Sequence, residues 1–172
     1  MIDPLREGIL SEPDLNKKLV AFENKAGSYG MGVDEFVFEF EDVSGKKVAF
    51  SDFKGKYVFV DCWATWCGPC KYEIPSLKKL ERQLHGEEII FVSISFDKPK
   101  DKGKSKDFVR KEKLGGVQLI TDNAFDTEMA RTYRIVAIPR FLLFDKEGKV
   151  VDTDAKRPSD ERLKVELEAL LN

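Results

Sequence analysis

VDCWATWCGPC, residues Val60 to Cys70, holds all three cysteines of the chain, two of them as Cys67-Gly68-Pro69-Cys70. Just upstream, "YVFVDCW" is an almost unbroken apolar run, as expected of a strand in the middle of a covered sheet. Downstream of Pro69, Ile74, Leu77, Leu80 and Leu84 supply one face of a helix that reaches about His85. A central strand thus runs into a cysteine pair and on into a helix. The pair admits three readings: a metal site, a structural disulfide, or a centre that makes and breaks a disulfide.

Gross composition removes several function classes. A chain of 172 residues, 42% hydrophobic, is one domain large enough to bury a core without staples. Its 29 basic and 31 acidic residues leave no electrostatic footprint for nucleic acid or an anionic membrane. Three cysteines are too few for a disulfide scaffold. No apolar run approaches the roughly 18 residues of a membrane span. "MIDPLREGIL" lacks a basic region followed by an apolar stretch, so it does not read as a signal peptide, and the compartment stays open.

The flanking sequence builds outward from the centre. "SEPDLNKKLVAF" opens with Ser11 as an N-cap and Asp14 three residues on, and Leu15, Leu19 and Phe22 make it amphipathic. Residues 1–32 are therefore expected to be an extra N-terminal helix and Gly-rich linker, the remnant of a longer chain, with the main domain at 33–172. "FVFEF" and "KVAFSDF" flank "EDVSGK" and read as an N-terminal β-hairpin. "EIIFVSISF" is a second buried strand. Lys98, Lys100, Lys102, Lys104 and Lys106, interrupted by acids, read as a solvated loop.

Beyond that loop, "SKDFVRKEKL" is expected to be a short helix, "VQLI" a strand and "AFDTEMARTYR" another helix. "RFLLFDKEGKVVDTD" is a hairpin turning at Lys146-Glu147-Gly148. "SDERLKVELEALL" is a closing helix with Ser159 as N-cap and Leu163, Leu167 and Leu170 facing inward. This order specifies an α/β fold, a mixed central sheet with helices on both faces.

The cysteine pair can now be weighed. A zinc site needs four ligands, and the remaining candidates, Cys62 in mid-strand and His85 at the far end of a helix, are badly placed. A structural disulfide closing so small a ring would constrain the unfolded chain little. The redox reading has a positive case. Cys67 precedes Pro69, which suits a first helical turn, so its sulfur lies near unsatisfied N–H groups that favour thiolate. Cys70 lies one turn in, close enough to bond Cys67. An exposed nucleophile with a shielded resolver is what thiol–disulfide exchange requires.

These residues resemble a known family. "VDCWATWCGPC" is similar to the signature of thioredoxin-like proteins, departing from it mainly at Cys62. The extension "CKYEIPSL", with Glu73 and Pro75, resembles the Cys-x-x-Glu-x-Pro pattern of TlpA/ResA-like thiol–disulfide oxidoreductases, and "FSDFKGKYVFV" resembles their lead-in. "YRIVAIPRFLLFDKEGKVV" resembles the thioredoxin segment that carries a cis-proline. The resemblance spans residues 33 to 172. It implies the thioredoxin fold, with no organic cofactor and no metal. A protein disulfide is its substrate and a separate thiol its electron donor. The setting it implies is extracytoplasmic, in a bacterial periplasm or its equivalent. Any membrane tether would belong to a missing N-terminal segment.

Individual residues carry paired expectations. Asp61, six residues before Cys67, matches the family's buried acid and is expected to accept the proton of Cys70; the alternative is an acid satisfied at a strand end. Ser93 stands where thioredoxin often has a basic partner for that acid. Glu73, at i+3 from Cys70, is either an exposed helix residue or part of the site, as the family implies. Ile138 and Pro139 are implied to dock substrate backbone, with the bond between them cis.

Gly68 and Pro69 lie between the cysteines, and Trp66 is expected to form an apolar rim for docking. Trp63, His85 and Met129 read as structural, Cys62 as a small buried hydrophobe or a third thiol, and Pro75 as a helix kink. A copper-binding or metal-delivery module on the same fold is the alternative, but no His or Met accompanies the pair at ligand spacing. The Pro-x-x-x-Thr-x-x-Cys pattern of a peroxidase is missing.

Overall fold

The computed structural model describes residues 38–172, so the expected N-terminal helix and linker of residues 1–32 lie outside the described residues. The strands are β1 (Glu39–Asp42), β2 (Lys47–Ala49), β3 (Tyr57–Trp63), β4 (Ile89–Ser95), β5 (Val117–Ile120), β6 (Arg140–Phe144) and β7 (Val150–Asp152). The helices are α1 (Gly68–Gln83), α2 (Lys102–Glu112), α3 (Glu128–Thr132) and α4 (Glu161–Leu171). One mixed sheet runs in the order β2-β1-β5-β4-β3-β6-β7. β3, β4 and β5 are parallel, while β1 pairs antiparallel with β5 and β2, and β6 antiparallel with β3 and β7.

Alternation along β3 separates two cores. Val58, Val60 and Cys62 face one side with Val92, Ile94, Leu142 and Phe144, covered by α3 through Met129 and Ala130. Phe59 faces the other with Phe91, Phe141 and Leu143, under Leu77, Leu80 and Leu84 of α1 and Leu163 and Leu167 of α4. Helices therefore lie on both faces, as the sequence implies. The same alternation puts Asp61 and Trp63 on the α1 side.

Several boundaries depart from expectation. The second arm of the hairpin is strand only to Ala49; Phe50–Phe53 is a 3-10 turn in which the Asp52 carboxylate accepts from the Ala49 N–H at 3.1 Å. The lysine-rich stretch is structured: Pro99–Asp101 forms a 3-10 turn and α2 begins at Lys102. α3 is shorter than its pattern because Ala124 and Arg134 adopt positive φ, 50° and 51°, outside the helical region. α1 runs past Pro75 to Gln83, so the proline does not break it. α4 is capped by Asp160, not Ser159: the Asp160 carboxylate accepts from the Arg162 N–H at 3.0 Å. Ser159 is engaged elsewhere.

Candidate active site

β3 ends at Trp63, whose carbonyl accepts from the Phe96 N–H at 2.7 Å, which holds the strand end against β4. The chain then turns, and the Cys67 N–H donates to the Ala64 carbonyl at 3.1 Å. Cys67 is the N-cap of α1, with Pro69 in the first turn, and its Sγ accepts from the Cys70 N–H at 3.2 Å. The first turn carries no acid. Cys67 and Cys70 are joined as a disulfide and Cys62 is free.

The two sulfurs do not differ in cover. Cys67 is 3% exposed and Cys70 4%, so the expectation of an exposed nucleophile does not describe the oxidised state. Trp63, Ala64 and Val109 pack around both, with Ile138 beside them. What separates the sulfurs is position: Cys67 is at the cap and Cys70 inside the first turn. A Cβ added at Gly68 would meet nothing within 4 Å, so the surface beside the pair is open. The Ile138–Pro139 bond is cis, as expected. Trp66 stands 61% exposed and leans toward Phe125, ring centroids 6.5 Å apart. Trp63 is core, its ring tilted against that of Phe108 with centroids 5.3 Å apart.

Asp61 is buried, in parallel register with Ser93, whose hydroxyl donates to its Oδ2 at 3.3 Å. Burial pushes its pKa up to about 7, against the opposing pull of the Ser93 hydrogen bond and with smaller repulsion from Glu81 and Glu73. An acid titrating there is poised to take and return protons near neutrality. Burial likewise drives the Cys62 thiol well up, with Asp61 adding to it.

Glu73 is 3% exposed, which sets aside the exposed-residue expectation. Its Oε2 accepts from the Ser159 N–H at 2.9 Å and its Oε1 from the Ser159 hydroxyl at 2.8 Å. The active-site helix is thereby tied to the segment entering α4. Glu73→Ala would orphan two donors. It is expected to lower unfolding free energy by about 2–4 kcal/mol in urea denaturation. The exposed neighbour change Tyr72→Ala should stay within about 0.5 kcal/mol.

Asp97 was not foreseen. It is fully buried and accepts from the Thr65 N–H (2.9 Å), the Thr65 hydroxyl (2.7 Å), the Ser95 hydroxyl (2.8 Å) and the Ser105 hydroxyl (2.8 Å). It pins the turn before Cys67 to β4 and α2. The signal available was an acid ending an apolar strand, "SISFD". His85 is exposed at the far end of α1, and Met129 is core. Among the described residues, no three His, Cys, Asp or Glu side chains are grouped to hold a metal ion.

Comparison with known proteins gives a consistent picture. The AhpC/TSA family profile matches residues 33–153. The thiol–disulfide oxidoreductase ResA of Bacillus thuringiensis subsp. konkukian is 31% identical over 126 residues, 73% of this chain and 70% of that protein. A candidate thiol–disulfide oxidoreductase from Bacteroides vulgatus, solved in solution, is 41% identical with a TM-score of 0.70, covering 78% of this chain and 86% of its own. The thioredoxin domain of a thiol–disulfide oxidoreductase from the same organism is 28% identical, TM-score 0.69, over 80% of this chain and 94% of its own.

Proposed function

The chain belongs to the AhpC/TSA family and is a thiol–disulfide oxidoreductase of the thioredoxin fold, and from that premise we propose that it reduces protein disulfides. The observation that carries this is Cys67 capping α1 while bonded to Cys70, with Asp61 buried behind the helix. Cys67 thiolate attacks a substrate disulfide, a mixed disulfide forms and one substrate thiolate leaves. Cys70 gives its proton to Asp61 and attacks Cys67 Sγ. The second substrate thiolate departs, and the Cys67–Cys70 bond holds the two electrons' worth of oxidation. A separate thiol donor restores the pair. Trp66, Gly68, Pro69, Ile138 and Pro139 form the docking surface, where Ile138 backbone pairs with substrate in extended form.

The direction follows from electrostatics. Strong oxidants of this chemistry are oxidising because their reduced thiolate is unusually stable. Asp61 and the buried Glu73 oppose negative sulfur, and no histidine stands between the cysteines to favour it. The family resemblance supports an extracytoplasmic setting, where a reductant needs continuous electron supply; residues 1–32, as a separate N-terminal segment, would precede the catalytic domain. Equilibration with a glutathione redox buffer tests direction. The expected potential lies nearer to about −270 mV, the thioredoxin value, and one above about −180 mV would sink the reductant assignment.

A further inference from the structure

Asp61 takes a proton while docked substrate covers the cysteine face, so that proton needs another way out. Behind Asp61 is a cavity of about 10 Å³, roomy enough for about one water, lined by Trp63, Lys78, Glu81, Ser93 and Gln118 among others. Two buried polar atoms there lack partners among the described residues: the Trp63 Nε1 donor and the Gln118 Oε1 acceptor. These residues are 3% and 8% exposed. An orphaned donor and an orphaned acceptor on residues lining one small void call for a bridging water. Asp61, Ser93 and Gln118 lie side by side across three parallel strands.

Glu81 also lines a second, open groove of about 380 Å³ with Arg82, His85 and Gly116. It is the residue common to the internal cavity and the groove. Its carboxylate rests against the Gly115-Gly116 backbone, where a Cβ on Gly115 would come within 2.7 Å of Oε2. The Lys78 ammonium donates to the Glu112 carbonyl at 2.5 Å, so it is held by that carbonyl and acts on Glu81 only through its charge.

We propose that Glu81 is a positioning residue that acts through Asp61, passing its proton by a cavity water to the groove and thence to solvent. The proposal rests on Asp61 serving as acceptor for Cys70. The proton leaves Cys70 sulfur for the Asp61 carboxylate, moves to water as water releases another to Glu81, and Glu81 discharges into the groove. No electrons move along this path, and re-reduction runs it backwards. Burial holds Glu81 above the usual carboxylate range against the opposing pull of Lys78 and Arg82, while Glu81 and Glu73 act on Asp61. His85, at the groove, is the remaining titratable group facing the exit.

Stopped-flow reduction of insulin by the reduced protein, at several imidazole concentrations, tests this. Glu81→Gln is expected to slow release of the mixed disulfide about tenfold without slowing its formation, and rising imidazole should restore it. Gly115→Ala keeps every carboxylate yet displaces that of Glu81, so it should show the same buffer-dependent defect more weakly. A wild-type rate in Glu81→Gln, or a defect insensitive to imidazole, overturns the relay. If Asp61→Asn is slow while Glu81→Gln is normal, the relay alone is wrong. If Asp61→Asn is also normal, the acceptor assignment falls with it.

Discussion

Cys67→Ser is expected to reduce disulfide turnover to below about 1% of wild type, because no other sulfur can take its place. Cys70 lies within the helical turn, and attack from it would still lack a resolving partner. Cys62 is excluded more strongly. It is fully buried in β3, and burial together with neighbouring Asp61 holds its thiol protonated. Cys62→Ala should therefore leave turnover within about twofold, at the modest stability cost of a small buried truncation. Insulin reduction with a dithiol donor reads both variants. Loss of turnover in folded Cys62→Ala would overturn the two-cysteine mechanism.

Asp61→Asn carries the second large effect, in two observables. Release of the mixed disulfide should slow on the order of 100-fold while its formation is unchanged, because in the proposed mechanism the acid serves Cys70. Stability should move the other way. The folded carboxyl titrates at about 7 against 3.8 for a free aspartate side chain, so between these values the folded state binds more protons than the unfolded. Wild-type stability therefore falls as pH rises from about 4 to about 7 and then levels. Asn removes that slope. At about 1.4 kcal/mol per unit, the oxidised variant should gain on the order of 4 kcal/mol at pH 8 and almost nothing at pH 4. Parallel stability–pH curves for the two proteins would show that Asp61 does not titrate high in the fold.

The frame of this protein is legible locally. An apolar run for β3, a cysteine pair with Pro69 and the leucine spacing of α1 are contiguous signals, and they place Asp61, Cys67 and Cys70 without any tertiary information. The cis bond at Pro139 followed from resemblance, not from its own residues. What was not legible depends on distant partners. Ser159 looks like a helix cap until Glu73, 86 positions away, claims both of its donors. Asp97 looks like a loop acid until Thr65, 32 positions earlier, is seen donating to it twice. The body of α2 reads as a helix in "SKDFVRKEKL", but its first turn reads as loop because it presents Lys102 and Lys104 in place of an apolar stripe. The apolar cluster that holds Cys67 draws in Val109 and Ile138, on segments whose approach no spacing rule encodes.

Trapping the intermediate tests the central claim most directly. Reduced Cys70→Ser, mixed with insulin and quenched with acid, should accumulate a one-to-one mixed disulfide. Peptide mapping by mass spectrometry should place the substrate on Cys67, with Cys62 recovered as free thiol. Substrate found on Cys62, or no adduct from folded protein, would contradict the assignment of Cys67 as the attacking sulfur.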